Sequence, residues 1–567
     1  MRRCLQFIIF PLLSMLYSNS LFAQANGVKK TVNLNITGKV IDDSLIYVGD
    51  NIHIHIDRGG DRFKKVNFAS AKFLNAVDFS LETFVENANF SSAEFRDTVD
   101  FRNAEFHRAA IFDSVIFKTI TTFSSAKFSK TADFKHVVFN NTVDFSKSTF
   151  AGQAVFNGRF EKQLGLDSSK FLDSVFFFRS KFEGSAFFEQ DTFKKAVYFQ
   201  KDTLQKNVSF WQAEFKNGIN FFRSIFQKKV DFEEAEIQKI LILSNVSSSD
   251  STKFYFDYAK LPDLISFANV SNVHNDIDLT AANFSRSKLY GSSQRRWHYI
   301  NLFDSDIPKI KIDYEHFRLC FFSGTSGIDN EDIAMSRIIK DIDDNTISIN
   351  NKKFARSDPK LFDTLLKIDA FRDYLTQVFP TAKLTDTVVK DFVGYCLTRG
   401  FFPQTLSRDE ILSTYEKVLK NFELNGQMES YKALDIEYRD FENDGWFNIN
   451  HIWNRYGYNK EWIFYWTAGF LLLFTLVTSF FIGDFNRKIE DNGVYYLENI
   501  TLDHPGEKFF VLKRFIHAFV YTSSVFFLLG LKIENLNFKR SAVIYILLVY
   551  AMGILCLGYV ANFVLAK

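Results

Sequence analysis

His53, His55 and Asp57 recur at every second residue in NIHIHID, and Cys396 sits among apolar neighbours in VGYCLTRG. Alternation of this kind puts two imidazoles and a carboxylate on one face of a strand, a spacing that can hold a zinc ion. It is equally the pattern of a solvated strand face, so no metal is assigned to it. A cysteine nucleophile needs a histidine base beside it. The sequence shows none near Cys396, which reads as a small buried apolar residue. Phosphate-cradling, dinucleotide, nucleophile-elbow and metalloprotease motifs are absent. No catalytic residue and no cofactor is expected, and the chain reads as non-enzymatic. One further polar stretch, Tyr521 to Ser524, lies inside an apolar run and brings Thr522 and Ser523 close to Gly530.

The elements around these residues are dominated by a ladder of phenylalanines. Its rungs are Phe63, Phe68, Phe73, Phe79, Phe84, Phe90, Phe95, Phe101, Phe106, Phe112, Phe117, Phe123, Phe128, Phe134, Phe139, Phe145, Phe150 and Phe156. From Phe68 the intervals alternate between five and six, so the repeat unit is eleven residues. Helices recur at three and four residues and strands at two, so this rhythm belongs to neither. Short fixed periods mark solenoids, whose units bury an apolar face by stacking on their neighbours. Two elevens make a 22-residue coil with one phenylalanine per side, and residues 22 apart fall into four columns, such as Phe79, Phe101, Phe123 and Phe145. A small residue two places before most rungs (Ala71, Val77, Ala88, Ala93, Val99, Ala104) adds a second inward position.

The ladder continues through Phe176, Phe182, Phe188, Phe193, Phe199, Phe210, Phe215, Phe221, Phe226 and Phe232, and fades through Ile265, Phe267, Ile277, Leu279 and Phe284. IPKIKIDYEHFRLCFF (307–322) reads as closing coils after an interruption near SSQRRW (292–297). Coils stacked ~4.8 Å apart give a rod roughly 50–60 Å long. Each buried phenylalanine contributes about 2–3 kcal/mol before entropy is subtracted.

The segments ANFSSAEFRDTVDFRNAEF (88–106) and TTFSSAKFSKTADFKHVVF (121–139) resemble the pentapeptide-repeat superfamily. That resemblance implies a mainly β chain built on a right-handed quadrilateral β-helix. The tightest members keep strict fives, so every second corner is expected to carry an extra residue. Some members imitate DNA with an acidic face, and Asp78, Asp100 and Asp144 do fall in one column. Residues 61–160 nevertheless hold 13 Lys/Arg against 11 Asp/Glu, and no nucleic-acid role is expected.

The chain divides into a signal peptide (1–25), an N-terminal β cap (26–60), the β-helix (61–322), an α-rich connector (323–404), an αα-hairpin neck (405–445) and a transmembrane module (446–567). Arg2 and Arg3, the apolar QFIIFPLLSMLY and small residues at Ala23 and Ala25 make the secretory signal. Four scattered cysteines and a net charge of +2 exclude a disulfide framework and give no electrostatic direction to a partner. Ser407 and Glu410 have capping-box spacing ahead of the neck, and Asn425-Gly426 divides it.

Three apolar runs close the chain. Residues 463–482 are 20 and residues 541–566 are 26 without a charge, enough to span a bilayer. Between them, residues 515–531 contain His517 and four hydroxyls and read either as a short span or as a re-entrant segment. The expectation is three spans, at about 463–482, 515–531 and 541–564, with the rod exported and the C-terminal end inside. SYKALDIEYRDFE (430–442), NRYGYNKEWIF (454–464) and FVYTSSVFFLLGLKIENL (519–536) resemble the C-terminal module of pentapeptide-repeat proteins that end in a two-helix, ion-channel-like domain. The resemblance puts Thr522, Ser523 and Gly530 in the pore-like segment, but a potassium filter needs two close glycines and a hydroxyl, and here only Gly530 remains. The function expected is a membrane-anchored binding or scaffolding rod of the bacterial cell envelope, at the inner membrane with a periplasmic N-terminal domain. The alternative is a pore regulated by the repeats. Partners implied are membrane lipid, a protein or glycan of the envelope and, through the membrane runs, further copies of the chain.

Overall fold

A computed structural model describes residues 31–35, 40–41 and 62–565, apart from 75, 250–251, 271–276, 281, 283–296, 306–309, 324–331, 344–345, 350–351, 356–357, 359, 401, 444–454, 487–509 and 528–539. The signal-peptide expectation, His53, His55, Asp57, Phe284 and Gly530 lie outside these residues. The chain forms two compact units, residues 1–430 and 431–567.

The first unit is built on a parallel β-solenoid of about ten turns over residues 66–319. Most of its strands are two residues long, one apolar residue pointing in and its neighbour out. Each pairs with the strands one coil before and after: Phe106 stands opposite both Phe84 and Phe128. Rings in a column stack nearly flat, as with Phe84 on Phe106 at 4.6 Å and 2°, because the coil spacing of ~4.8 Å matches ring stacking. Adjacent columns meet edge to face, as with Phe101 and Phe112 at 5.7 Å and 84°.

The alternation of five and six has a backbone cause. Every eleventh residue, among them Ser70, Leu81, Ser92, Asn103, Ser114 and Ser125, has positive φ. Each lies in a five-residue interval, where a tight turn closes with a hydrogen bond such as the Ala71 amide to the Phe68 carbonyl at 3.0 Å. A side chain in that region is strained, and the coil-to-coil hydrogen bonds made there, such as the Ser92 amide to the Asp113 carbonyl at 2.8 Å, hold it. The six-residue intervals from Phe73 to Phe123 turn without positive φ and take one residue more.

One coil is a residue short. Phe134 stacks on Phe156, but Phe139 stacks on Phe160, and the register slips between Lys135 and Val137. Gly158 stands at the slip, where a Cβ would come within 2.5 Å of the Val137 carbonyl oxygen. The ladder expected at Phe176 is corrected accordingly. Phe177 is the inward rung, stacked between Phe156 and Phe199, whereas Phe176 faces outward against Tyr198 at 4.9 Å. Leu166, Leu204, Ile237 and Leu243 stand at later rungs, fully buried, which is why the ladder fades in a count of phenylalanines alone.

Further strands extend both ends of the solenoid. Thr31–Asn35 and Val40–Ile41 pair in parallel with Arg62–Asn67 and Lys72–Phe73, so part of the expected cap is further coil. At the other end Ile310–Lys311 pairs with Ile277–Asp278, and Phe317–Leu319 with His298–Asn301, giving the closing coils. The connector carries helices α1 (Ile333–Ile338), α2 (Leu361–Leu365), α3 (Asp369–Val378) and α4 (Thr387–Arg399). It also holds an antiparallel sheet of Ile339–Asp343, Thr346–Ile349 and Lys352–Ala355, which the α-rich expectation did not include. Leu375, Val389, Phe392 and Cys396 bury themselves with Ile240, Ile242, Leu264 and Tyr299 of the last coils.

The neck is α5 (Arg408–Leu424), with the capping box at Ser407 and Glu410, followed by α6 (Met428–Glu442). Side chains of this hairpin meet backbone groups of the final coil. The Ile310 amide donates to Asn421 Oδ1 at 3.2 Å, and Gln427 Nε2 donates to the Ile312 carbonyl at 3.0 Å. Ser430 Oγ accepts from the Tyr314 amide at 3.1 Å and donates to the Ile312 carbonyl at 3.2 Å. A strand edge left open would recruit another chain; here the hairpin fills it.

The second unit contains α7 (Trp462–Asn486), α8 (Phe510–Phe526) and α9 (Arg540–Leu565). Residues Trp462–Phe480 and Ile544–Phe563 are long and apolar enough to cross a membrane. Phe464 meets Phe563 and Phe474 meets Tyr545, so α7 and α9 run antiparallel. Three successive spans would set the first and third parallel, and that expectation is corrected. The middle run also differs in depth: Thr522 meets Thr478, and Phe526 ends beside Phe474.

Candidate functional site

The column that suggested an acidic face has a local job. Asp78, Asp100 and Asp144 each accept the amide two residues on, from Ser80, Arg102 and Ser146, all at 2.8 Å. They close Asx-type turns that lead into the positive-φ residues. Asp100 is also paired with Arg102.

Further along the same face the pattern changes. The nine-stranded sheet from Val77–Asp78 to Phe254–Tyr255 presents a column in which the turn amides Ser168, Gln190, Gln212 and Glu234 donate to the carbonyls of Glu189, Trp211, Glu233 and Asp257. Read along the axis, the column is Asp167, Glu189, Trp211, Glu233 and Asp257. Beside it stand Phe187, Asp231 and Tyr255. Asp231 pairs with Lys229 at 2.7 Å, and that ammonium lies 4.5 Å from the Tyr255 ring centre. Among the described residues no cation pairs with Asp167, Glu189, Glu233 or Asp257. Burial, with the neighbouring charge of Glu189, pushes the Asp167 carboxyl up to about 6.

Several carboxylates elsewhere on the coils are paired. Lys127 pairs with Glu105 at 2.8 Å, Arg159 and Lys181 share Glu183, and Lys260 pairs with Glu236 at 3.0 Å. Sequence counting missed the contrast because it averaged the charge over all four faces and stopped at residue 160.

The lumen holds a polar pair that the ladder did not reveal. Asp191 and Asp202 occupy inward corner positions that are alanine at Ala104 and Ala93. Asp191 Oδ1 accepts the Ser169 amide at 2.6 Å, and Asp202 Oδ1 accepts the Ser180 amide at 2.5 Å. Their second oxygens, Oδ2 of each, are buried without a hydrogen-bond partner among the described residues. Burial pushes both carboxyls well above the usual carboxylate range, because a low-dielectric lumen disfavours the charged form.

In the second unit, Thr522 Oγ1 donates to Thr478 Oγ1 at 2.9 Å, Thr478 Oγ1 lies 3.0 Å from Tyr545 OH, and that hydroxyl donates to the Phe474 carbonyl at 2.8 Å. Thr522 thus belongs to a seam among three helices, and the Ser523 hydroxyl is buried without a partner among the described residues. Arg514 donates to the carbonyls of Ser479 and Phe480. Ahead of α7, Arg455, Tyr456 and Gly457 form a turn with three successive positive φ values of 47°, 57° and 94°. Buried Asp435 on α6 accepts from Arg439 Nε at 2.7 Å and from Tyr458 OH at 2.9 Å, anchoring that turn. Burial, then the Asp435 carboxylate, pushes the Tyr458 phenol up. Among the described residues no three His, Cys, Asp or Glu side chains group as a metal site. Cys396 is buried within the connector core.

Residues 68–116 and 112–158 match the family model for pentapeptide repeats. No curated protein and no solved structure matches the chain.

Proposed function

We propose that the chain is a non-enzymatic binding rod of the bacterial cell envelope, exported and held at the inner membrane by its C-terminal helices. One observation carries the reading: a parallel β-solenoid shares its chain with two helices long and apolar enough to cross a membrane. Large apolar side chains stand out from the second unit, Tyr465 and Phe480 at 77% exposure and Ile544 at 64%, and lipid is the solvent that suits them. Antiparallel α7 and α9 favour two crossings, with rod and C-terminal end on one side. The other side then receives Arg487, Lys488, Lys508, Lys513 and Arg514, which agrees with a cytoplasmic position. Alkaline extraction of cell membranes tests the anchor: the full chain stays in the pellet, and a chain lacking residues 446–567 is released. Recovery of the full chain in the soluble fraction contradicts the reading.

A second reading, an ion-channel-like pore regulated by the rod, draws on α8, whose last residue Phe526 lies beside Phe474 partway along α7. A helix that starts and stops on one side of a bilayer is the arrangement a pore lining uses. Bilayer recordings of the purified protein separate the two: ion-selective openings favour the pore, and silence favours the anchor.

A further inference from the structure

We propose that the rod carries a proton-controlled joint near its middle: loss of protons to solvent from Asp191 and Asp202 opens the plane between the coil that holds them and the coil before it. The inference goes beyond the anchored-rod reading and does not depend on it.

Three observations carry it. The first is position. Asp191 and Asp202 are eleven residues apart, half of a 22-residue coil, so they occupy two corners of one coil. Each directly follows a positive-φ residue, Gln190 and Lys201. Within the solenoid of residues 66–319 they stand close to the midpoint. Both reach across the same plane, Asp191 Oδ1 to the Ser169 amide at 2.6 Å and Asp202 Oδ1 to the Ser180 amide at 2.5 Å.

The second is that these bonds do not require an acid. Serine makes the same contact in neighbouring coils: Ser169 Oγ accepts the Ser148 amide at 3.0 Å, and Ser224 Oγ accepts the Asp202 amide at 3.2 Å. Each of those hydroxyls donates its own proton to a carbonyl, of Phe145 at 2.8 Å and of Phe199 at 3.1 Å. Serine at such a corner is satisfied and uncharged. Aspartate makes the same bond and leaves Oδ2 over, buried without a partner among the described residues. What the carboxyl adds is a proton that can leave.

The third is the surroundings. The charges that act on Asp191 are Asp167 and Glu189, both of its own sign. Asp202 meets the Ser180 and Gln200 backbone and the Ser180 hydroxyl. The cations beside these corners, Lys170, Arg179, Lys181, Lys201 and Arg223, are exposed. Arg179 and Lys201 lie over the Phe178 ring, Arg223 lies over Phe222, and Lys181 pairs with Glu183. A carboxylate formed in the lumen therefore gains by opening to water. Because a coil contacts only its neighbours, the opening stays at that plane.

The test is amide hydrogen exchange, read by mass spectrometry on the full-length protein in phosphatidylcholine nanodiscs from pH 4 to 8 and corrected for the intrinsic pH dependence of exchange. Two amides cross the plane and report on it: Thr192 donates to the Ser169 carbonyl and Thr203 to the Ser180 carbonyl, both at 2.9 Å. Their opening constants rise by about tenfold per pH unit for each acid that ionises on opening. The Ser92 and Ser114 amides, on distant coils, change by less than about twofold. Asp191→Asn with Asp202→Asn removes the rise at Thr192 and Thr203. So does Asp191→Ser with Asp202→Ser, which copies the neighbouring coils. The proposal is overturned if Thr192 and Thr203 show no rise, if all coils lose protection together, or if the rise persists in a folded double variant. The natural chain alone decides the first two outcomes, so a variant that fails to fold does not shield the proposal.

Discussion

Asp191 Oδ1 accepts a hydrogen bond from the Ser169 amide one coil away, at 2.6 Å, and so a carboxyl group sits inside a lumen otherwise stacked with phenyl rings. Asp202 repeats the arrangement with Ser180 at the other positive-φ corner. Burial raises both carboxyls well above their ordinary value. In the unfolded chain they titrate near the ordinary 3.8, so between that value and their raised folded values the native state binds more protons. Stability therefore falls as pH rises through this window. Asp167, with its carboxyl at about 6, adds a slope of the same sign between 3.8 and 6. Denaturant midpoints measured from pH 4 to 8 decline for the natural chain. Asp191→Asn with Asp202→Asn flattens the decline, and an unchanged slope would remove these two acids from the account.

The stacked ladder makes a second prediction. Phe112 lies 4.8 Å from both Phe90 and Phe134, with Phe101 and Phe123 edge-on. Phe112→Ala costs about 3–5 kcal/mol, seen as a lower denaturation midpoint. Phe112→Leu costs markedly less, because leucine already fills rungs at Leu166 and Leu204. Equal losses for the two would mean that ring stacking itself is required.

Gly158 supports the coil that is one residue short. A Cβ there falls 2.5 Å from the Val137 carbonyl oxygen and 2.6 Å from Val137 Cγ1. Gly158→Ala is expected to destabilise the rod by about 1–3 kcal/mol, while Gly165→Ala, which meets nothing closer than 3.9 Å, stays near the natural value. Chemical denaturation of the two side by side checks the difference.

The neck hairpin seals the last coil through Gln427 and Ser430. Gln427→Leu with Ser430→Ala leaves the Ile312 carbonyl and the Tyr314 amide without these partners, a loss of about 1–3 kcal/mol for each buried group. The opened edge also gains a tendency to pair with another chain. A sedimentation series should show concentration-dependent association in the variant beyond that of the natural chain; no change would mean that other groups cover the edge.

Much of this fold was legible in the sequence because one residue type carried the signal. The eleven-residue period, the four columns and the small inward residues all follow from where phenylalanine recurs. The slip at Gly158 was not legible, since Phe176 and Phe177 are adjacent and only the coil pairing says which turns inward. The connector sheet was hidden by brevity: TISI alternates like a strand but is four residues long. The acidic and aromatic face escaped because its members lie 22 residues apart and include Trp211, which a charge count ignores. The direction of α9 relative to α7 is a tertiary fact, and hydropathy alone left the middle run between a third span and a re-entrant segment. Thr522 was legible as a polar group in the membrane module, but its partner Thr478 was not.

The central claim, an exported rod anchored by two antiparallel helices, is tested most directly by side-specific labelling. Of the four native cysteines, Cys4 falls in the expected signal peptide and Cys320, Cys396 and Cys556 are buried, so an introduced cysteine can be read above a low background. Gln190→Cys on the rod and a cysteine added after Lys567 are exposed to a membrane-impermeant maleimide on intact spheroplasts. Both positions react before the membrane is breached if the account is right. Labelling of either one only after lysis would contradict it.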